Sequence, residues 1–197
     1  MKSALRKIVA AAALAACVGA SAWAAPNAHP IDRKRSKIVV HVYKTGLFSI
    51  FAHNHEIEAP IESGEVVAGT GEPSVAICAD ANKLRVLDPE VSAGTRSQIQ
   101  KTMESSQVLD AGHYSNICFH STAVQPKGIG RWLVNGVFEL HGRKRPVATV
   151  VTLKDGRYAG SLVLKQTEFG ITPIAIAGRT VKVKDQVTVD FDIALSQ

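Results

Sequence analysis

Val187-Thr188-Val189-Asp190-Phe191-Asp192-Ile193 decides the fold. Apolar residues occupy every second position, and Thr188, Asp190 and Asp192 fill the positions between them. Successive side chains of an extended chain point to opposite faces, so this segment has one apolar face and one acidic face. That is the pattern of a β-strand with one side buried. A helix of period 3.6 would mix the two sets around its circumference.

The same alternation recurs outward from this segment. Ile38, Val40 and Val42 alternate with Val39, His41 and Tyr43, and Ile57, Ala59 and Ile61 stand against Glu56, Glu58 and Glu62. Val75, Ile77 and Ala79 form another such set, as do Ile117, Phe119 and Ser121, and then Trp132, Val134, Gly136, Phe138 and Leu140. Residues 147–153 are rich in β-branched side chains, and Asp155-Gly156 is a hairpin signal before the strand-like run 158–165. Asp185-Gln186 predicts a second tight turn, between strands at 181–184 and 187–193. Only the stretch between Pro89 and Gln107 departs from period 2. Polar helix formers dominate it and Ile99 and Met103 stand four apart, which predicts one short helix. The expectation is one all-β domain, an antiparallel barrel of eight strands with a short helical insertion. Closure removes sheet edges, and about eight strands enclose room for a small ligand.

The N-terminus carries an address. Lys2, Arg6 and Lys7 precede an uncharged, alanine-rich run over residues 8–20, and Ala22-Trp23-Ala24 makes a small-x-small cleavage site. That layout is a secretory signal peptide over residues 1–24, too short to span a bilayer. It implies a periplasmic protein with a flexible polar lead-in over 25–36 and a barrel domain over 37–197. Leu14-Ala15-Ala16-Cys17 also reads as a lipobox, which would anchor the protein through Cys17. The cleavage site at Ala24 is the better placed of the two.

The formal net charge of the 197-residue chain is +6, and it falls to +3 once the three signal-peptide cations are removed. So mild a balance does not point to nucleic acid. The basic clusters Arg33-Lys34-Arg35 and Arg143-Lys144-Arg145 read as solvated loops. Cys78 and Cys118 remain after processing. An oxidising compartment permits a disulfide, but the sequence leaves a bridge and two buried thiols equally open.

Catalytic signatures are scarce. Ser49, Ser121 and Ser161 sit in no nucleophile elbow, and the sequence has no glycine-rich phosphate loop and no His-Glu-x-x-His. The reading is a protein that is not an enzyme, with no assured cofactor. His53-Asn54-His55 is the sharpest constellation. In a strand, two imidazoles at i and i+2 share a face and supply two metal ligands, whereas a stable zinc site takes three or four. A metal- or haem-related role for His53 and His55 is therefore the alternative, beside the plainer one in which one imidazole is hydrogen-bonded to backbone and the other lies at the barrel mouth. Phe48, Ile50 and Phe51, and the run 169–177, are too apolar for surface loops and read as core or as the lining of an apolar pocket.

Several segments occur in a familiar order: 36–46, Phe119-His120-Ser121-Thr122, Phe138-Glu139-Leu140-His141-Gly142 running on to Pro146-Val147, Glu168-Phe169-Gly170-Ile171, and Asp185-Gln186-Val187. Together they resemble the YceI-like periplasmic proteins. The resemblance implies a lipocalin-like barrel whose cavity holds a polyisoprenoid or an isoprenoid-quinone lipid. It implies Val40, Val42, Phe119, Phe138, Phe169 and Ile171 as lining residues, to which the apolar segment adds Phe48 and Phe51. The expected partner is thus an apolar lipid rather than nucleic acid, with transient contact at a membrane surface and pairing of two barrels as further expectations.

Overall fold

A computed structural model describes residues 27–45, 54–69, 71–176 and 181–196. Among these residues twelve strands and one helix form. The strands are β1 (Ala28–Pro30), β2 (Lys37–Thr45), β3 (His55–Glu58), β4 (Ile61–Val67), β5 (Ser74–Asp80), β6 (Arg85–Val86), β7 (Asn116–Pro126), β8 (Arg131–Leu140), β9 (Arg143–Lys154), β10 (Arg157–Lys165), β11 (Ala175–Ile176) and β12 (Val181–Ala194). The helix, α1, is Ala93–Glu104, inside the stretch where the sequence predicts it.

All pairings are antiparallel, and the strands run β1-β4-β5-β7-β8-β9-β10-β12-β2-β3-β6, with β11 beside β12. β3 and β4 lie near opposite ends of this path, yet only Ala59 and Pro60 separate them along the chain. The sheet therefore curls into a barrel-like wall. Twelve strands stand where eight are expected, and the reason is local. Proline has no N–H to give a ladder, so Pro60 splits one long bent strand into β3 and β4. β1, β6 and β11 are pieces of two or three residues. Counting β3–β4 once and setting the short pieces aside leaves eight principal strands.

Two expectations need correcting. Asp185-Gln186 makes no hairpin turn: β12 runs through it, with a register shift between Val183 and Val187. Asp185 instead holds a neighbouring turn, accepting from the Thr167 N–H at 2.9 Å and the Thr167 hydroxyl at 2.8 Å. The lead-in, from residue 27, is also part of the fold. β1 pairs with β4, and Ile31 is buried with Ile61 and Ile193. By contrast Asp155 and Gly156 form the expected tight hairpin, both at positive φ (51° and 75°).

The apolar faces seen in the sequence all turn inward. Leu162, Leu164, Phe169, Val187 and Val189 form one buried cluster, and Leu84, Val86, Met103 and Ala111 form another beneath α1. Ser92 caps the helix, its hydroxyl accepting from the Thr95 N–H at 3.1 Å. Gln100 then staples the helix to the wall, donating to the Leu84 carbonyl at 2.7 Å and accepting from the Val86 N–H at 2.8 Å. Cys78 and Cys118 face each other across β5 and β7 and are joined by a disulfide, which settles the alternative the sequence leaves open.

Candidate functional site

The inward side chains do not fill the barrel. They enclose a cavity of about 510 Å³, within the range of small-molecule sites. Val40 and Val42 from β2, Phe119 from β7, Phe138 from β8 and Ile171 all line it. Val187, Val189, Phe191 and Ile193, the apolar face of the closing strand, make up much of one wall. Among the described residues no Asp, Glu, Lys, Arg or His contributes to the lining; the polar members are Ser74, Thr149, Gln166, Trp132 and Tyr158. The Thr149 hydroxyl is committed to the wall, donating to the Ser161 carbonyl at 2.8 Å. A polar solute would lose its water here and find few partners, whereas an apolar chain loses nothing.

The two ends of the cavity differ. Toward α1 the lining residues Leu84, Met103 and Ile171 are 5%, 6% and 3% exposed and make a sealed floor. At the other end the lining includes Gly69, Pro73 and Pro126, all exposed. The mouth therefore lies between the β4–β5 connection and the β7–β8 hairpin. Trp132 and Tyr158 stand there with ring centroids 6.0 Å apart.

The other residues singled out in the sequence have different places. Phe169 is 0% exposed and packs edge-on to Phe138, centroids 5.9 Å apart, so it backs the cavity wall and is not in contact with the lumen. It sits in a 3-10 turn over Gln166–Phe169, and Gly170 at φ 78° reverses the chain so that Ile171 enters the lining. Strand alternation does not extend through such a turn. Phe48, Phe51 and His53 lie outside the described residues. The helix-side lining residues Met103, Leu84 and Leu109 carry no alternation signal, because no strand bears them.

His55 is described. Its Nδ1 lies 2.6 Å from an Asp88 carboxylate oxygen, and the other oxygen accepts from the Glu56 N–H at 2.8 Å. Asp88 is 1% exposed, and Arg96 donates twice to its carbonyl, at 3.2 and 3.0 Å. A buried carboxylate so held fixes the orientation of the imidazole. A carboxylate–histidine pair also supports metal ligation, but His55 alone is one ligand. Among the described residues the one close group of three metal-ligating side chains is Cys78, Cys118 and His120, in which both sulfurs are bound in the disulfide.

Comparison with known proteins agrees with this geometry. The family model described as YceI-like domain matches residues 30–195. A UPF0312 protein of Vibrio campbellii is 35% identical over 69 residues, a match covering 35% of this chain and 36% of that protein's length. The crystal structure of Burkholderia cenocepacia BcnA superposes with a TM-score of 0.66 at 18% identity, over 85% of this chain and 99% of that one. A mutant of the Campylobacter jejuni YCEI protein gives 0.51 at 12% identity, over 70% and 83%. At such identities the likeness speaks for the fold alone.

Proposed function

The chain belongs to the YceI-like family, and we propose that it binds a long apolar lipid, a polyisoprenoid or isoprenoid quinone, and carries it through the periplasm without transforming it. One observation carries this reading: a cavity of about 510 Å³ to whose lining no charged side chain among the described residues contributes. Burial of an apolar chain yields about 0.8 kcal/mol per methylene, so ten buried methylenes supply about 8 kcal/mol before the costs of association. That is ample for retention without a strong polar contact. The sealed floor and open rim favour a tail that enters first, leaving the head group at the mouth.

Native mass spectrometry of the protein purified from a bacterial periplasm, followed by organic extraction, tests the proposal. A bound species that extracts as a polyprenyl or quinone lipid supports it. Titration with the same lipid should change the fluorescence of Trp132, which lines the cavity. An empty protein whose fluorescence stays flat against several isoprenoids would overturn it.

A further inference from the structure

The β7–β8 hairpin ends in Lys127-Gly128-Ile129-Gly130-Arg131. Ile129 is the most exposed large apolar residue among those described, with its whole side chain in solvent. Burial normally repays a residue of this kind, and at a loop tip it stabilises nothing in the barrel. Two glycines at positive φ, Gly128 at 124° and Gly130 at 63°, hold the tip out. The residues that flank it, Pro126 and Trp132, line the cavity, so the tip belongs to the rim of the mouth. Beside it is Leu153, also exposed, whose N–H donates to the Gly130 carbonyl at 2.7 Å.

The same end of the barrel is basic. The principal strands alternate in direction, so the β7–β8 hairpin, the β9–β10 turn and the turn preceding β2 share one end. The turn before β2 holds Arg33-Lys34-Arg35, and Arg157 Nη2 ties it to the β9–β10 turn by donating to the Arg35 carbonyl at 2.6 Å. Lys34, Lys127, Arg131 and Lys154 form no ion pair with another described residue. Several of the acids at this end are engaged. Asp32 accepts from the Lys34 and Arg35 N–H groups at 3.0 and 3.1 Å, and Asp192 pairs with Arg157 at 2.7 Å. Glu62, whose carbonyl accepts from Arg33 at 2.8 Å, pairs with Lys83 at 2.6 Å, and Glu65, Glu72 and Asp155 remain. The other basic cluster, Arg143-Lys144-Arg145, lies at the opposite end, where Lys144 stands 3.5 Å from Glu139.

We propose that the mouth end of the barrel docks on an anionic lipid surface, with Ile129 inserted among the headgroups and Lys127, Arg131 and Lys154 resting on their phosphates. An apolar tip ringed by unpaired cations is complementary to such a surface, where each cation and each buried apolar group adds to binding. The Trp132–Tyr158 pair behind the tip is of the kind that favours the membrane interface. The purpose of this docking rests on the carrier reading, since it would set the mouth where a lipid enters or leaves; its geometry does not.

Cosedimentation with vesicles of pure phosphatidylglycerol and of pure phosphatidylcholine tests it. The protein should prefer phosphatidylglycerol, and more so at low salt. Ile129→Ser should weaken that binding about tenfold, and Lys127→Ala with Arg131→Ala by a factor on the order of ten or more. Arg143→Ala with Lys144→Ala, at the far end, should change it less than about twofold. These are exposed positions, and unchanged circular dichroism will show that each variant folds. Equal affinity for the two vesicles, or equal losses for the tip and far-end variants, would overturn the proposal. A protein that docks through Ile129 yet copurifies with no lipid and shows flat Trp132 fluorescence against several isoprenoids would leave the docking surface standing and remove the carrier reading.

Discussion

The ring of Phe119 occupies the space a side chain at Gly136 would claim. A Cβ at Gly136 would lie 2.5 Å from Phe119 Cζ and 2.5 Å from the His120 carbonyl oxygen. Gly160 and Phe191 repeat the arrangement on another wall, with a Cβ 2.5 Å from Phe191 Cζ. Both rings line the cavity. A glycine in a strand interior costs stability and marks a close approach; here it lets an aromatic ring settle into the wall instead of standing in the lumen.

Gly136→Val should therefore push Phe119 inward and narrow the cavity. Overpacking of this kind costs about 1–3 kcal/mol, which thermal melting will register, and lipid binding followed by Trp132 fluorescence should fall more than stability does. Adding Phe119→Ala to Gly136→Val removes the clash with the ring but not that with the His120 carbonyl oxygen, so binding should recover in part while stability does not. Unchanged affinity in the single variant would show that this ring does not bound the ligand.

The disulfide lies on the outside of the wall. Ile77, Ala79, Ile117 and Phe119 line the cavity, so Cys78 and Cys118, between them in register, face away from it. A cross-link over a sequence separation of 40 limits the unfolded chain by about 4 kcal/mol in the loop-entropy account. Cys78→Ser with Cys118→Ser should lower the melting temperature accordingly and leave lipid affinity within about twofold, because no lining residue changes. A large loss of affinity at temperatures where the variant is folded would place the bridge in the binding machinery.

Asp88 is the buried carboxylate that ties the β3 end of the barrel to α1. Its carboxylate meets His55 and the Glu56 N–H, and its carbonyl meets Arg96 from α1, so one residue joins strand and helix. Removing the carboxylate leaves the Glu56 N–H and the partly exposed His55 ring without their acceptor, at about 1–3 kcal/mol for a buried donor left unsatisfied. Asp88→Ala should lose stability on that scale in urea denaturation, and Asp88→Asn, which keeps an acceptor for the Glu56 N–H, should lose less. Equal losses would mean that the charge, rather than the hydrogen bonds, carries the stabilisation.

Much of this was legible in the sequence because a strand's period reports its faces directly. Val187, Val189, Phe191 and Ile193 line the cavity as their alternation requires, and the helix lies where the alternation breaks. Four things were not legible. Pro60 bends a strand that reads as continuous, because alternation persists across the bend. Asp185 reads as a turn former, since its role in capping the turn at Thr167 depends on a residue 18 positions away. Phe169 reads as lining because its motif is apolar, while its 3-10 turn directs the ring behind Phe138. The disulfide needed the register of β5 against β7, which no local pattern encodes.

His113 supplies a pH test of the loop that leads into β7. Its Nδ1 lies 2.9 Å from the Asp110 carboxylate, and that hydrogen bond, together with the negative charge, raises the imidazole pKa above the ordinary value of about 6.5. A group whose pKa is raised by folding binds its proton more tightly when folded. The pair's contribution is thus fully present below the unfolded value and is lost as pH rises through the folded one. The ring is exposed, so the effect on stability is small and salt weakens it further. Titration followed by NMR should place the His113 midpoint higher in the unmodified protein than in Asp110→Asn. Asparagine is the conservative replacement because Asp110 stands at φ 45°, which it tolerates better than most residues, so the backbone should hold while the charge disappears. A midpoint that stays put in Asp110→Asn would show that the carboxylate is not what raises it.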